Sequence, residues 1–268
     1  MKLETLLPVL EQIAPARFAE PWDNVGLLIE PESADITRIL VALDCTVDVA
    51  REAREVGAQL VLTHHPLFFA PVRRMLHSHP DTAAAYALVR SGIGLYAMHT
   101  NLDCAIGGVN DALASKLGLL EVCALNDPEQ PLSSCETPGL GRIGILPEAI
   151  TLSHFALDTA KRLGAVVRMG GSGARAVRQV AVIGGSGGEY LRAAKQAGAD
   201  VLVTGEIKHH QALEAQLLDL CVVEAGHHET EAVVLGPLIA GLQAALEKIQ
   251  YKVDLLCARS GRAPLVTP

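Results

Sequence analysis

Three short segments of the chain contain closely spaced histidines and carboxylates. An adjacent histidine pair stands before Pro66, and two further segments pair a histidine with a carboxylate four residues later. A spacing of four places both side chains on one face if the segment is helical. Histidine nitrogen and carboxylate oxygen, without thiolate, suit zinc, iron, manganese, cobalt or nickel, and the residue types do not choose among these metals. The six candidate ligands are His64, His65, His99, Asp103, His227 and Glu231.

The number of candidate ligands favours two ions over one. If one carboxylate bridges, five residues supply each ion with about three protein ligands, which leaves positions open for water or substrate, as in catalytic sites. A closed structural site more often uses cysteine. These five ligands are His64, His65, Asp103, His227 and Glu231, and His99 is either a sixth ligand or a residue that supports a ligand.

The histidine pair follows a predicted strand. Adjacent side chains of an extended chain point in opposite directions, so we expect His64 and His65 to serve two neighbouring ions rather than one ion side by side. Asp44 follows the preceding predicted strand and is a candidate to orient a ligand histidine.

Two candidates for catalysis or phosphate binding, with weaker support from the sequence, lie in the second half of the chain. Glu206 follows a predicted strand and is a candidate acid or base, although a solvated helix start explains it equally well. The turn at 184–188 (GGSGG) either offers backbone N–H groups to a phosphate or is a tight packing turn, and the second interpretation is favoured because no nucleotide-binding motif surrounds it.

The elements that must position these residues alternate between strand and helix. Apolar, β-branched runs predict strands at 38–43, 59–63 and 94–98, and the segments 47–56 and 81–89 between them read as helices. This βαβαβ order is typical of a parallel sheet covered by helices. Ligands of such sheets gather beyond the carboxyl ends of the strands, where the candidate residues stand.

The same order returns later in the chain, with strands predicted at 179–183 and 200–204 and a helix at 189–196. The repeat predicts an α/β fold of two related lobes with a metal site between them. The segment 126–141, rich in Pro, Ser and Gly, reads as a linker, which predicts lobes at 1–125 and 126–268. The C-terminal helix is a candidate to pack back on the first lobe.

Composition narrows the function classes. The 268 residues include 22 basic and 30 acidic residues, a net charge of −8 that argues against broad nucleic-acid binding but not against a local basic groove. The six cysteines form no CxxC pair, which favours reduced thiols and a cytoplasmic location. We expect no membrane span and no secretory signal.

The motifs together resemble the Nif-three-like family, many of whose members carry the name GTP cyclohydrolase 1 type 2. They are WDNVGL (22–27), THHP (63–66), HTNLD (99–103), GLGRIG (139–144), GGSG (184–187), TGE (204–206) and GHHETE (226–231). The resemblance implies a dinuclear metal site held by the same five ligands, and a homohexamer. The short segment between the lobes resembles the family members that lack an inserted domain.

Two classes of function stay open. The first is a metal-dependent hydrolase, in which metal-activated water attacks a small molecule. For GTP, the attacked atom would be C8 and formate would be released. His99 or Glu206 would transfer the protons. The second is a non-enzymatic metal-binding oligomer or a protein-interaction scaffold. The sequence leaves open the metal, the substrate and the pathway.

Overall fold

In a computed structural model of the protein, residues 1–125 and 138–265 are described. Most of the predicted linker at 126–141 lies outside the described residues. The chain divides into two compact units, Met1–Ala105 with Leu235–Arg262, and Ile106–Val234 with Ala263–Pro268. The units are defined by contacts between residues, whereas the predicted lobes were defined by the sequence repeat. The lobe boundary near residue 125 therefore stays a prediction.

Strands and helices alternate along most of the described chain. The helices are α1 (Leu3–Ile13), α2 (Val47–Glu55), α3 (Pro80–Arg90), α4 (Thr100–Cys104), α5 (Val109–Leu117), α6 (Leu152–Leu163), α7 (Leu191–Gln196), α8 (His209–Leu217), α9 (His227–Glu231) and α10 (Leu235–Lys248). The strands are β1 (Gly26–Ile29), β2 (Arg38–Ala42), β3 (Leu60–Thr63), β4 (Gly94–Ala97), β5 (Leu120–Ala124), β6 (Arg142–Thr151), β7 (Arg168–Gly170), β8 (Ala176–Ile183), β9 (Val201–Thr204), β10 (Cys221–Glu224) and β11 (Asp254–Cys257).

The sheet of the first unit has the strand order β1-β4-β3-β2-β11. Strands β2, β3, β4 and β11 are parallel, and β1 is an antiparallel edge strand. Both faces of β2 and β3 are buried: Leu40 and Val61 pack with helices α2 and α3, while Ile39 and Leu62 on the other face are equally inaccessible. The predicted βαβαβ order is confirmed, with element ends within a few residues of those predicted.

The sheet of the second unit has the order β5-β6-β8-β9-β10-β7. Its parallel strands are β8, β9 and β10, and the other strands join antiparallel. One core lies between Val182 and Phe155 of α6, and a second core lies between Leu202 and Ala194 of α7. The α/β fold class is therefore confirmed, and the sheet of each unit contains parallel strands.

The C-terminal part of the chain completes the first unit. Helix α10 packs against α1 and contacts β2 and β11. The Glu52 carboxylate of α2 then accepts hydrogen bonds from the backbone N–H groups of Arg259 (2.9 Å) and Ser260 (2.8 Å). This contact holds the residues that follow β11 against α2.

One helical stretch among the described residues, from His227 to Lys248, is long and apolar enough to cross a membrane by length and composition. Of its most apolar window, 33% is buried. Core helices of soluble proteins meet the same criterion, so a single stretch of this kind is weak evidence for a membrane span.

Candidate metal centre

The histidines of the first unit lie where two neighbouring parallel strands end. Thr63 at the end of β3 pairs with Ala97 at the end of β4. His64 and His65 follow the first of these strands, and His99 follows the second by two residues. The register of the sheet therefore brings the three histidines to the same edge, as expected for the carboxyl ends of parallel strands.

The three histidines form a close cluster. One ligand nitrogen from each of His64, His65 and His99 lies within 4.8 Å of the others. The ring centroids of His64 and His65 are 4.9 Å apart. The expectation that these two adjacent side chains point in opposite directions is wrong. The chain bends after β3, so the alternation of an extended strand no longer applies at the pair.

Each histidine of the cluster is held through its Nδ1 atom. His64 Nδ1 lies 2.8 Å from the carbonyl oxygen of Met98. Because a carbonyl oxygen can only accept, this Nδ1 donates, and the Nε2 of the neutral ring keeps a lone pair. His65 Nδ1 lies 2.8 Å from Asp44 Oδ1, and His99 Nδ1 lies 2.9 Å from Asp23 Oδ1. Such contacts orient metal-ligating histidines and leave Nε2 for the ion.

Asp23 is a supporting residue to which the sequence analysis assigned no role. It belongs to the WDNVGL segment, and its carboxylate also accepts hydrogen bonds from the backbone N–H (3.0 Å) and the hydroxyl of Thr100. Burial by itself raises the pKa of the Asp23 carboxyl, but the hydrogen bonds from His99 and Thr100 outweigh it and lower the pKa to about 2. Asp23 is therefore a fixed anion that holds His99. Its position in the WDNVGL motif was the feature of the sequence that could have indicated this supporting role.

Asp103 completes the candidate ligands of the first unit. It lies on α4, and its backbone N–H donates to the carbonyl oxygen of His99 (3.0 Å), so the predicted helical spacing of this pair is confirmed. Asp103 Oδ1 lies 3.7 Å from His64 Nε2. The His64 side chain is fully buried, and that of Asp103 is 14% exposed. A carboxylate oxygen therefore stands beside the lone-pair nitrogen of the most buried histidine.

The candidate ligands of the second unit lie on α9, directly after β10. His227 Nε2 is 3.2 Å from Glu231 Oε2, four residues along the helix. The predicted pairing of these side chains on one helical face is confirmed. Glu206 Oε1 lies 3.5 Å from His227 Nδ1, and Glu206 Oε2 accepts a hydrogen bond from the Ser186 hydroxyl (2.9 Å). Glu206 is 60% exposed, whereas Glu231 is 5% exposed.

The glycine turn at 184–188 supports Glu231. Gly185 has a φ of +62°, and a Cβ added there would lie 2.2 Å from Glu231 Oε1. Its backbone N–H donates to Thr230, and that of Gly187 donates to Thr204. Together with the N–H of Gly184, which donates to Asn110, these bonds within the protein favour the interpretation as a packing turn.

The donor chemistry fits a divalent transition metal. Three imidazoles with oriented Nε2 atoms and an adjacent carboxylate form one cluster, and a histidine–glutamate pair forms the other. The predicted ligands are thus placed in two clusters, with His99 in the first and Glu206 beside the second. Two further histidines near Glu206 in the sequence, His209 and His210, are exposed at the start of α8.

The fold and the clusters define an α/β protein with histidine–carboxylate groups suited to metal binding. The family model of Duf34/NIF3 (NGG1p interacting factor 3) matches residues 1–264. The chain therefore belongs to the DUF34/NIF3 family.

Relatives and solved structures agree with this family. The chain is 32% identical over 265 residues to a GTP cyclohydrolase 1 type 2 homolog of Clostridium perfringens, covering 98% of each chain. It is 33% identical over 235 residues to NIF3-like protein 1 of Drosophila melanogaster, covering 86% of this chain and 78% of the relative. The crystal structure of a Bacillus cereus protein related to NIF3 is similar with a TM-score of 0.92 and 26% identity, covering 100% of this chain and 99% of the other.

Proposed function

We propose that this protein binds two divalent metal ions per chain and acts as a metal-dependent hydrolase. The ligands in this proposal are His64, His65, Asp103, His227 and Glu231. The observation that carries it is the set of Nδ1 contacts in the first cluster, which orient three histidine rings through one nitrogen each, as the partners of metal-ligating histidines do.

The chemistry of the ligands supports hydrolysis. Divalent ions held by histidine and carboxylate lower the pKa of water, which makes it a nucleophile at neutral pH. The name of the clostridial relative suggests GTP as a substrate. With GTP, water would add at C8 and open the imidazole ring, and a second hydrolysis would release C8 as formate.

Glu206 is the proposed proton carrier. It is exposed to solvent and lies beside His227, so its carboxylate can exchange protons with water. Glu206→Gln should lower kcat at least tenfold with metal content unchanged. If the variant instead loses metal, Glu206 is a positioning residue for His227.

Elemental analysis of the purified protein is the direct test of the metal proposal. We expect about two metal equivalents per chain after reconstitution with zinc, iron or manganese. The variants His64→Ala/His65→Ala and His227→Ala/Glu231→Ala should each bind less metal than the unaltered protein. The exposed histidines His79 and His154 provide matched alanine controls that should keep it. Less than half an equivalent in the unaltered protein would refute the proposal.

Hydrolysis is tested separately with the reconstituted protein. GTP, other nucleotides and phosphoesters are offered, and formate release and loss of the guanine absorbance are followed. Turnover that disappears in the ligand variants supports the hydrolase. Full metal content without turnover of any compound would favour the second class, a metal-binding oligomer or interaction scaffold. The description of the family as an interacting factor supports this second class. The homohexamer and the cytoplasmic location stay predictions.

A further inference from the structure

An exposed pair of aromatic side chains stands beside the histidine cluster of the first unit. Trp22 is the only tryptophan of the chain, and it is 60% exposed; Phe69 is 57% exposed. Their ring centroids lie 6.4 Å apart, and each ring meets the His99 ring nearly edge to face, at 6.0 Å for Trp22 and 5.6 Å for Phe69. Two large apolar rings are thus left in contact with water next to the candidate ligands. Exposure of apolar surface to water is unfavourable, and a ligand that covered both rings would remove that free-energy cost.

Three consecutive residues build this arrangement. Trp22 supplies one ring, and Asp23 holds His99 through its Nδ1 atom. Asn24 Nδ2 then donates to the carbonyl oxygen of Phe68 (2.7 Å), which fixes the backbone next to Phe69. The segment therefore couples the position of both rings to the position of His99, so a ligand on the rings would be held at a set distance from the cluster.

A cavity adjoins the pair. Its volume is about 770 Å³, and Phe69, Arg73 and Arg74 are among the residues that line it. This volume is within the range of small-molecule sites. Both arginines are exposed, and neither has an ion pair with any residue that the structure describes. Asp81 also lines the cavity, but the two guanidinium groups outnumber its carboxylate and favour an anionic group on the ligand.

We propose that Trp22 and Phe69 form a stacking seat for a planar nucleobase-type ring beside His99, while Arg73 and Arg74 bind an anionic group of the same ligand. Flat aromatic faces bind nucleobases by stacking whatever the base, which favours a planar ring as the ligand. The inference rests on the proposed function in one respect, since it takes the ring to be that of the hydrolase substrate.

The single tryptophan makes the seat directly observable. The intrinsic fluorescence of metal-free, full-length protein is titrated with GTP, with guanosine and with inorganic triphosphate. GTP and guanosine should quench Trp22, and triphosphate should not. GTP should bind more tightly than guanosine, and the double variant Arg73→Gln/Arg74→Gln should reduce that difference.

A matched pair of variants tests the stacking contact. Phe69→Leu should weaken binding of both GTP and guanosine by about 5- to 150-fold, the range that stacking contacts provide. Tyr251→Leu removes another exposed aromatic ring, 43% accessible, and should leave both affinities unchanged. Metal content, measured on separate samples of each protein after reconstitution with zinc, should be equal in the unaltered protein and in both variants.

The outcomes separate this inference from the proposed function. Normal metal content with no quenching by guanosine or GTP would overturn the seat and leave the metal proposal intact. Quenching that Phe69→Leu weakens, in protein that binds no metal, would support the seat and overturn the hydrolase. If Trp22 fluorescence responds only to protein concentration, and Phe69→Leu changes the sedimentation coefficient, the patch is a contact between copies and the seat is refuted.

Discussion

At the scale of single residues, the atoms behind the candidate ligands matter as much as the ligands. His65 and His99 each contact an aspartate through Nδ1, and His64 contacts a main-chain carbonyl. These partners set which nitrogen of each ring carries the proton and which way the ring faces. Removing a partner should therefore weaken metal binding without removing any ligand.

Asp23→Asn tests this expectation. Both carboxylate oxygens of Asp23 accept hydrogen bonds, from His99 on one side and from Thr100 on the other. Asparagine has one acceptor oxygen, so its NH₂ group must face a donor. We expect zinc affinity, measured by competition with a chelator, to fall about 10- to 100-fold, the usual effect of losing such a partner.

Asp35→Asn is the control for this change. Asp35 is an exposed aspartate of the same unit, paired with Lys2 at 2.8 Å. Its removal should leave the zinc affinity unchanged. An Asp23→Asn protein that is folded by circular dichroism and binds zinc as tightly as the unaltered protein would show that Asp23 does not support the site.

At the scale of elements, strand ends and tight turns decide where the ligands stand. The parallel pairing of β3 with β4 brings two chain segments to one edge, and the glycine turn after β8 makes room for Glu231. The Glu52 carboxylate of α2 accepts hydrogen bonds from the residues after β11. Each of these features predicts a separate effect.

Gly185→Ala should displace Glu231. The φ of +62° disfavours alanine, and the added methyl group would clash with the Glu231 carboxylate. Because that carboxylate ends a flexible side chain, we expect it to move, and metal affinity should fall at least tenfold. Gly164→Ala is the matched control, since Gly164 has a similar φ of +66° and nothing within 4 Å of the added carbon. Both variants should lose about 1–2 kcal/mol of stability from the left-handed backbone. Equal metal affinities in the two would contradict the packing role of the turn.

The contact between Glu52 and the residues after β11 should depend on pH. Partial burial raises the pKa of Glu52, but hydrogen bonds from the Ser260 hydroxyl and from two backbone N–H groups outweigh it, so the pKa lies below its ordinary value of 4.5. When the pKa of a carboxyl is lower in the folded than in the unfolded protein, the group contributes its full stabilisation at a pH above its pKa in the unfolded protein. That contribution is lost as the pH falls through its pKa in the folded protein.

Glu52→Gln should therefore be less stable than the unaltered protein near pH 7, and the difference should shrink on acidification below about pH 4.5. Urea denaturation across the pH range measures it, with Glu55→Gln, an exposed position of the same helix, as the control. A difference that stays constant down to pH 3 would show that the contact does not depend on the charge of Glu52.

At the scale of the whole molecule, metal binding should be visible as stability. A ligand that binds only the folded state at 100 times its dissociation constant adds about 2.7 kcal/mol. For a chain of this length that corresponds to a rise in Tm of about 5–10 °C. We expect zinc to raise the Tm by this amount and a chelator to reverse it. The variant His64→Ala/His65→Ala should show no rise, whereas His79→Ala should behave like the unaltered protein. An equal rise in both variants would place the stabilising ion elsewhere.

The amino-acid sequence by itself determined the α/β fold class, the strands β2, β3, β4, β8 and β9, and the residue types of the candidate ligands. These features are local: apolar runs, glycine stops and histidine–carboxylate spacings are read within a few positions of the chain. The helical pairing of His227 with Glu231 followed from spacing alone, because the turn of a helix fixes it.

Only the tertiary structure decided which residues hydrogen-bond to those ligands and which aromatic rings lie next to them. Asp23 and His99 are 76 positions apart in the chain, and Trp22 and Phe69 belong to different segments. No periodicity encodes such contacts, because they depend on the register of β3 against β4 and on the path of the loops that join the strands. The direction of the His64 and His65 side chains was mispredicted for the same reason: the chain bends where the strand ends, and the surrounding packing, not the local pattern, sets that bend.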